Sequence, residues 1–145
     1  MRIAVFSDTH DFFPTSLAER MEGADEIWCL GDVTRPHGLV EFEVLGPPVR
    51  VVRGNCDGHA AWPLDLTLER EQVVFHLTHI PPRRAPRGVQ ALLHGHTHVP
   101  RDEVIGGVRW LNPGSASQPR GGTAASFAWL EVNAGKLTRW EVVRI

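Results

Sequence analysis

The run Leu93-His94-Gly95-His96-Thr97-His98-Val99-Pro100 sets three imidazoles at alternate positions and stops them with a proline. Imidazole is the commonest side-chain ligand for borderline transition metals. Gly95 leaves the backbone open and Pro100 ends the run, so His96 and His98 can converge on one small volume. His94 closes the apolar run Ala91-Leu92-Leu93 and reads as the end of a buried strand. His96 and His98 are therefore the better ligands. Two imidazoles do not complete a metal site, so partners must come from elsewhere in the chain.

Those partners recur at one kind of place. Ile3-Ala4-Val5-Phe6 is a short apolar run, read as a strand buried on both faces, and it ends in Ser7-Asp8-Thr9-His10. Glu26 to Leu30 repeats the pattern and stops at Gly31-Asp32; Val49 to Val52 repeats it and runs into Arg53-Gly54-Asn55-Cys56-Asp57. Gln72 to Thr78 ends at His79. Each residue alone has a bland reading: Asp8 caps a helix, Asp32 follows a glycine in a turn, Gly54-Asn55 is a turn. Together Asp8, His10, Asp32, Asn55, His79, His96 and His98 supply two carboxylates, one amide and four imidazoles. Adjacent parallel strands would set Asp8 beside Asp32. Two carboxylates that close repel unless one takes up a proton or a cation lies between them. One tetrahedral ion needs three or four ligands; seven suit two divalent ions sharing a carboxylate bridge. The nitrogen and oxygen set, with no thiolate, points to manganese, iron, zinc, cobalt or nickel. Such a pair lowers the pKa of a bridging water and clamps phosphoryl oxygens during an in-line displacement.

The elements that must position these groups change character along the chain. Pro14 to Met21 reads as a helix ended by Gly23, and residues 38–45 as a short helix ended by Gly46-Pro47-Pro48. The second half alternates: Leu64 to Glu69 as an antiparallel strand, a turn at Arg70-Glu71, and a hairpin over Val104 to Leu111 turning at Gly106-Gly107. Two final strands, Ala125 to Val132 and Leu137 to Val143, join at Asn133 to Lys136. Ile80 to Gly88 holds three prolines and cannot be a helix. It reads as a loop long enough to overhang a site, its three arginines as solvated charge.

With 145 residues and no linker or repeat, the chain is expected to be a single domain over 1–145. A net charge of -2 gives no footprint for nucleic acid or membrane. The opening apolar run is too short for a signal-peptide core. Two cysteines cannot build a disulfide framework, so a cytoplasmic, reduced setting is expected. Eight histidines stand against no tyrosine, and histidine is the residue type to explain.

Asp8-Thr9-His10, Gly31-Asp32, Gly54-Asn55-Cys56-Asp57, His79 and Gly95-His96-Thr97-His98 together resemble the calcineurin-like metallophosphoesterases, in their usual order. The resemblance runs from Met1 to about Arg120. It includes Asn112-Pro113-Gly114-Ser115, similar to the loop after the histidine motif in the small bacterial and archaeal phosphodiesterase branch (YfcE-like). It implies an α/β fold, a four-layer αββα sandwich of two mixed sheets flanked by helices. It also implies a partition of the ligands: Asp8, His10 and His98 on one metal, Asn55, His79 and His96 on the other, Asp32 bridging. The implied activity is a phosphodiesterase in which metal-bridging hydroxide attacks phosphorus, with Asp32, Asn55 and His96 as the catalytic set. A phosphomonoesterase is the alternative, and a non-catalytic scaffold of the same fold the third reading. The substrate is expected to be a small phosphodiester or phosphomonoester; the subunit count, including a homo-oligomer, stays open.

The chain departs from the family pattern in three ways. Many members carry histidine where Cys56 stands, although the small branch commonly shares the cysteine. Glycine often follows the histidine matching His79, and here it is Ile80. A helix usual after that point is replaced by the proline-rich loop. Of the remaining histidines, His76 reads as structural, His37 and His59 as exposed, and His94 as a core residue or a group that orients a ligand.

Overall fold

Strand β1 (Arg2–Phe6) is the axis of the first of two five-stranded sheets in the computed structural model, which describes residues 1–145. Beside it run β2 (Glu26–Cys29) and β3 (Val49–Val51), both parallel. On its other side β9 (Ser126–Asn133) and β10 (Lys136–Arg144) pair antiparallel, giving the order β10-β9-β1-β2-β3. The second sheet has the order β4-β5-β6-β8-β7. Its strands are β4 (Asp65–Arg70), β5 (Val73–Thr78), β6 (Ala91–Leu93), β7 (Arg101–Ile105) and β8 (Val108–Asn112).

The sheets pack face to face because alternate residues on each strand are apolar and point the same way. Ile3, Val5, Trp28 and Leu30 of the first sheet meet Phe75, Leu77, Leu93 and Leu111 of the second in one buried core. The other face of the first sheet presents Ala4, Phe6, Ile27 and Cys29 to Leu17, Met21, Leu39 and Phe42. Burial on both faces explains why β1 and β2 read as continuous apolar runs.

The expected mixed α/β architecture is present, with less helix than the sequence suggested. Pro14 to Met21 is mostly turn, with a 3₁₀ segment at Glu19–Met21. Ser16 takes φ 64° there, which interrupts a right-handed helix, and Leu17 and Met21 bond three residues back. Residues 36–39 are also 3₁₀ and lead into α1 (Val40–Val44), the chain's one α-helix. The β4–β5 turn falls on Glu71-Gln72, one residue later than the sequence suggested, with both at positive φ.

The second sheet is also more parallel than its alternating sequence implied. β5, β6 and β8 all run in the same direction. The β5–β6 crossover is the proline-rich loop, with no helix in it. Arg83, Arg84 and Ala85 share a cavity with Val108 and Trp110 of β8, so this loop lies beside the outer face of the second sheet. No helix is long and apolar enough to cross a membrane.

Candidate metal centre

Five strands deliver the seven chemistry-bearing residues to one end of the sandwich. In both sheets this is the C-terminal end of the parallel strands, where ligands collect in open α/β sheets. Backbone bonds lock the exits together: Asp8 N–H donates to Gly31 O at 3.0 Å, His10 N–H to Asp32 O at 2.8 Å, and Gly95 N–H to His79 O at 3.0 Å. Asp8, Asp32, His79 and His98 are almost wholly buried, His10 and His96 are half-buried, and Asn55 is exposed.

Two buried imidazoles have their proton position fixed. His79 Nδ1 lies 2.7 Å from Leu30 O, and His98 Nδ1 lies 2.6 Å from Gln118 O. A carbonyl only accepts, so each Nδ1 carries a proton and each ring turns its Nε2 inward, the atom left to ligate a metal. His79 Nε2 stands 3.2 Å from Asp32 Oδ2 and 3.9 Å from Asp8 Oδ1; His98 Nε2 stands 3.1 Å from Asp8 Oδ1 and 3.3 Å from His10 Nε2. Both His79 Nε2 and Asp8 Oδ1 are buried with no hydrogen-bond partner. Acceptors facing acceptors in a closed space are costly unless a cation joins them. The donor set therefore fits divalent metal.

The ligand atoms group closely. Those of Asp8, His10 and His98 lie within 4.8 Å of one another, as do those of Asp8, Asp32 and His79, and those of His10, Asp32 and Cys56. Asp8 thus belongs to two groups, and Asp32 reaches toward both His79 and His10. Asn55 and His96 join on the open side: His96 Nδ1 is 3.0 Å from Asn55 Oδ1, and the His79 and His96 rings meet edge-on at 5.3 Å. All seven residues singled out by sequence converge.

Charge follows the same geometry. Burial pushes the Asp32 carboxyl up, but His79 and the Cys56 N–H, which donates to Asp32 Oδ1 at 2.8 Å, outweigh it and hold it down to about 2. Burial pulls His79 down, yet the Asp32 and Asp8 carboxylates leave it above the ordinary imidazole value. His94 differs. Burial dominates and lowers it to about 4; its Nδ1 approaches Gly95 O, and Arg101 reaches its Nε2 at 3.2 Å. It is a neutral support for the loop, set away from the converging lone pairs.

The backbone is strained where the ligand candidates sit. Asp8, His10, Asp32, His96 and His98 all take positive φ, between 48° and 68°. Such conformations cost on the order of 1 kcal/mol or more for each non-glycine residue, and persist only where surroundings over-determine them. Gly54 and Gly95 make the close approach possible. A methyl group at Gly54 would overlap the Asp32 carboxylate, and one at Gly95 would strike Ser7 and Asp8.

The sequence quoted Asp57, Asn112 and Ser115 without giving them work. The Asp57 carboxylate accepts from Asp32 N at 2.9 Å, Gly54 N at 2.7 Å and Thr34 N at 2.8 Å. Asn112 donates to Gly95 O at 3.0 Å, and Ser115 Oγ donates to Asp8 O at 2.8 Å. The sequence signal for Asp57 was its place in the Asn55 loop, and for Asn112 and Ser115 the family-like run Asn112-Pro113-Gly114-Ser115 after β8. His37 and His59 are exposed, the latter packed on Trp62, and His76 is buried against Thr67.

The family model for the calcineurin-like phosphoesterase superfamily domain matches residues 1–135. Among solved structures, YfcE, a phosphoesterase from E. coli, is 25% identical with a TM-score of 0.78, covering 99% of this chain and 100% of its own. A predicted phosphoesterase from Streptococcus pneumoniae is 28% identical with a TM-score of 0.71, covering 91% and 83%. Vps29 from Entamoeba histolytica, in complex with zinc, is 22% identical with a TM-score of 0.80, covering 100% and 98%, a likeness of fold. No curated protein gives a significant match.

Proposed function

This chain belongs to the calcineurin-like phosphoesterase superfamily, and from that premise we propose that it is a phosphodiesterase working with two divalent metal ions, manganese first. The observation that carries the reading is the pair of buried, unpartnered acceptors, Asp8 Oδ1 and His79 Nε2, in a cluster of like groups. Asp8, His10 and His98 would hold one ion, and Asn55, His79 and His96 the other, with Asp32 between them. When bound, the ions would lower the pKa of a water molecule and offset charge on the phosphoryl oxygens.

The chain's own side chains supply the rest. Leu30 O and Gln118 O fix the His79 and His98 rings, so both lone pairs are aimed before anything binds. His96 and Asn55, on the open side and in contact with each other, would meet the phosphoryl group. No imidazole stands at position 56, and His59 is turned onto Trp62. The site therefore lacks a strong general acid and suits diesters whose leaving group departs with little protonation. Both cysteines are free, which fits a reducing, cytoplasmic setting.

Purified protein loaded with manganese should hydrolyse bis(p-nitrophenyl) phosphate faster than p-nitrophenyl phosphate. A chelator should abolish turnover, and Asp32→Asn should lower it at least about a hundredfold. Full activity in Asp32→Asn would refute the bridging role, and a faster monoester rate would make the protein a phosphatase.

A further inference from the structure

A cavity of about 290 Å³ is lined in part by Asn55 and His79, two of the candidate ligands. Its walls include Leu64 and Ile80, which are 61% and 52% exposed. A single exposed apolar residue is ordinary; two large ones lining one cavity together with candidate metal-ligating groups are not. The chain holds them there. Leu64 directly precedes β4 and Ile80 follows β5 by two residues, and these strands pair with Asp65 opposite Thr78. Arg53 N–H donates to Pro63 O at 2.7 Å, which ties the Asn55 loop to the residue before Leu64. Thr78 Oγ1 donates to Ile80 O at 3.3 Å and fixes the turn that presents Ile80. Arg53 also lines the cavity and forms none of the protein's ion pairs.

Apolar walls with a few polar groups at one end are the pattern of a small-molecule pocket, and this volume suits a single ring-sized group. We propose that Leu64 and Ile80 form an ester-group subsite that takes an apolar, ring-sized substituent of the phosphoester. The phosphoryl group then lies at Asn55 and His79, and Arg53 adds positive charge at the edge. The proposal rests on the phosphodiesterase reading for the anion's position and deepens it by naming the substituent. Leu64 and Ile80 are specificity-determining residues here; they do no chemistry.

Phenylphosphonate and methylphosphonate carry the same anion and cannot be hydrolysed, so they separate the subsite from turnover. Titrating manganese-loaded protein in a calorimeter should show phenylphosphonate binding about tenfold or more tighter. The Leu64→Ser, Ile80→Ser double variant should lose that preference and keep its methylphosphonate affinity within twofold. Both side chains are exposed, so an unchanged thermal midpoint serves as the folding control. Equal affinity for the two phosphonates in the wild-type protein overturns the subsite. So does an equal weakening of both in the variant, or a variant that changes only the oligomeric state, which would make the patch a contact between copies. If the phenyl preference holds while bis(p-nitrophenyl) phosphate is not turned over, the subsite stands and the hydrolase reading falls.

Discussion

Asp57 stands two residues after Asn55, outside the set that would touch metal, and it does much of the holding. Three backbone N–H groups from two different strand exits point at its carboxylate. Each is a charge-assisted bond, stronger than a neutral pair. Replacing it by alanine leaves those donors facing a void, and by asparagine sets an amide hydrogen against at least one of them. Asp57→Asn should therefore cost about 1–3 kcal/mol of stability, read as a lower urea midpoint. Metal affinity should fall tenfold or more, because Asp32 loses its register to Asn55. An Asp57→Asn protein with wild-type metal affinity would make this carboxylate a stability feature alone.

At the scale of elements, β5 shows how a single strand serves two purposes. Phe75 and Leu77 face the inter-sheet core, and His76 faces the other way, buried against Thr67 at 3.0 Å. Burial holds the His76 pKa below the ordinary imidazole value, against a smaller opposing pull from Asp65. The folded protein thus binds a proton there less readily than the unfolded chain. Its contribution is fully present above the unfolded pKa of about 6.5 and is lost as pH falls below that value toward the folded pKa. Urea unfolding at pH 7.5 and pH 5.5 should show the wild type losing more stability on acidification than His76→Gln. Equal losses would mean that His76 charges freely in the fold. The sequence allowed the proline-rich loop after β5 to overhang the site; its Arg83–Ala85 portion neighbours Trp110, and Ile80 at its start lines the cavity with Asn55 and His79.

At the scale of the molecule, the candidate centre is a joint between the sheets. Asp8, Asp32 and Asn55 come from exits of the first sheet, and His79, His96 and His98 from exits of the second. A pair of ions shared among them would tie two layers that otherwise meet through apolar packing. Binding to the folded state alone stabilises it by about 2.7 kcal/mol at a free concentration of a hundred times Kd. The thermal midpoint should therefore climb steadily with manganese concentration and return on chelation. The same series with His79→Ala should climb much less. A flat wild-type series would mean that the cluster takes up no manganese.

The donor types and their placement at the ends of apolar runs were legible in the chain itself, because both are local. A strand buried on two faces must be apolar throughout, and the polar residues that follow it must lie at its exit. The hairpin at Gly106-Gly107 and the final strand pair were legible for the same reason. Proximity was not. His96 N–H reaches Asp8 Oδ2 at 3.1 Å across 88 residues of sequence, and no short-range rule specifies that distance. Tertiary packing also decided against a regular helix at Pro14 to Met21, made Asp8 common to two ligand groups, and gave Asp57 its three donors. Local chemistry named the participants. Only the stacking of two twisted sheets, with their parallel strands ending at the same edge, brought the lone pairs within reach of one another.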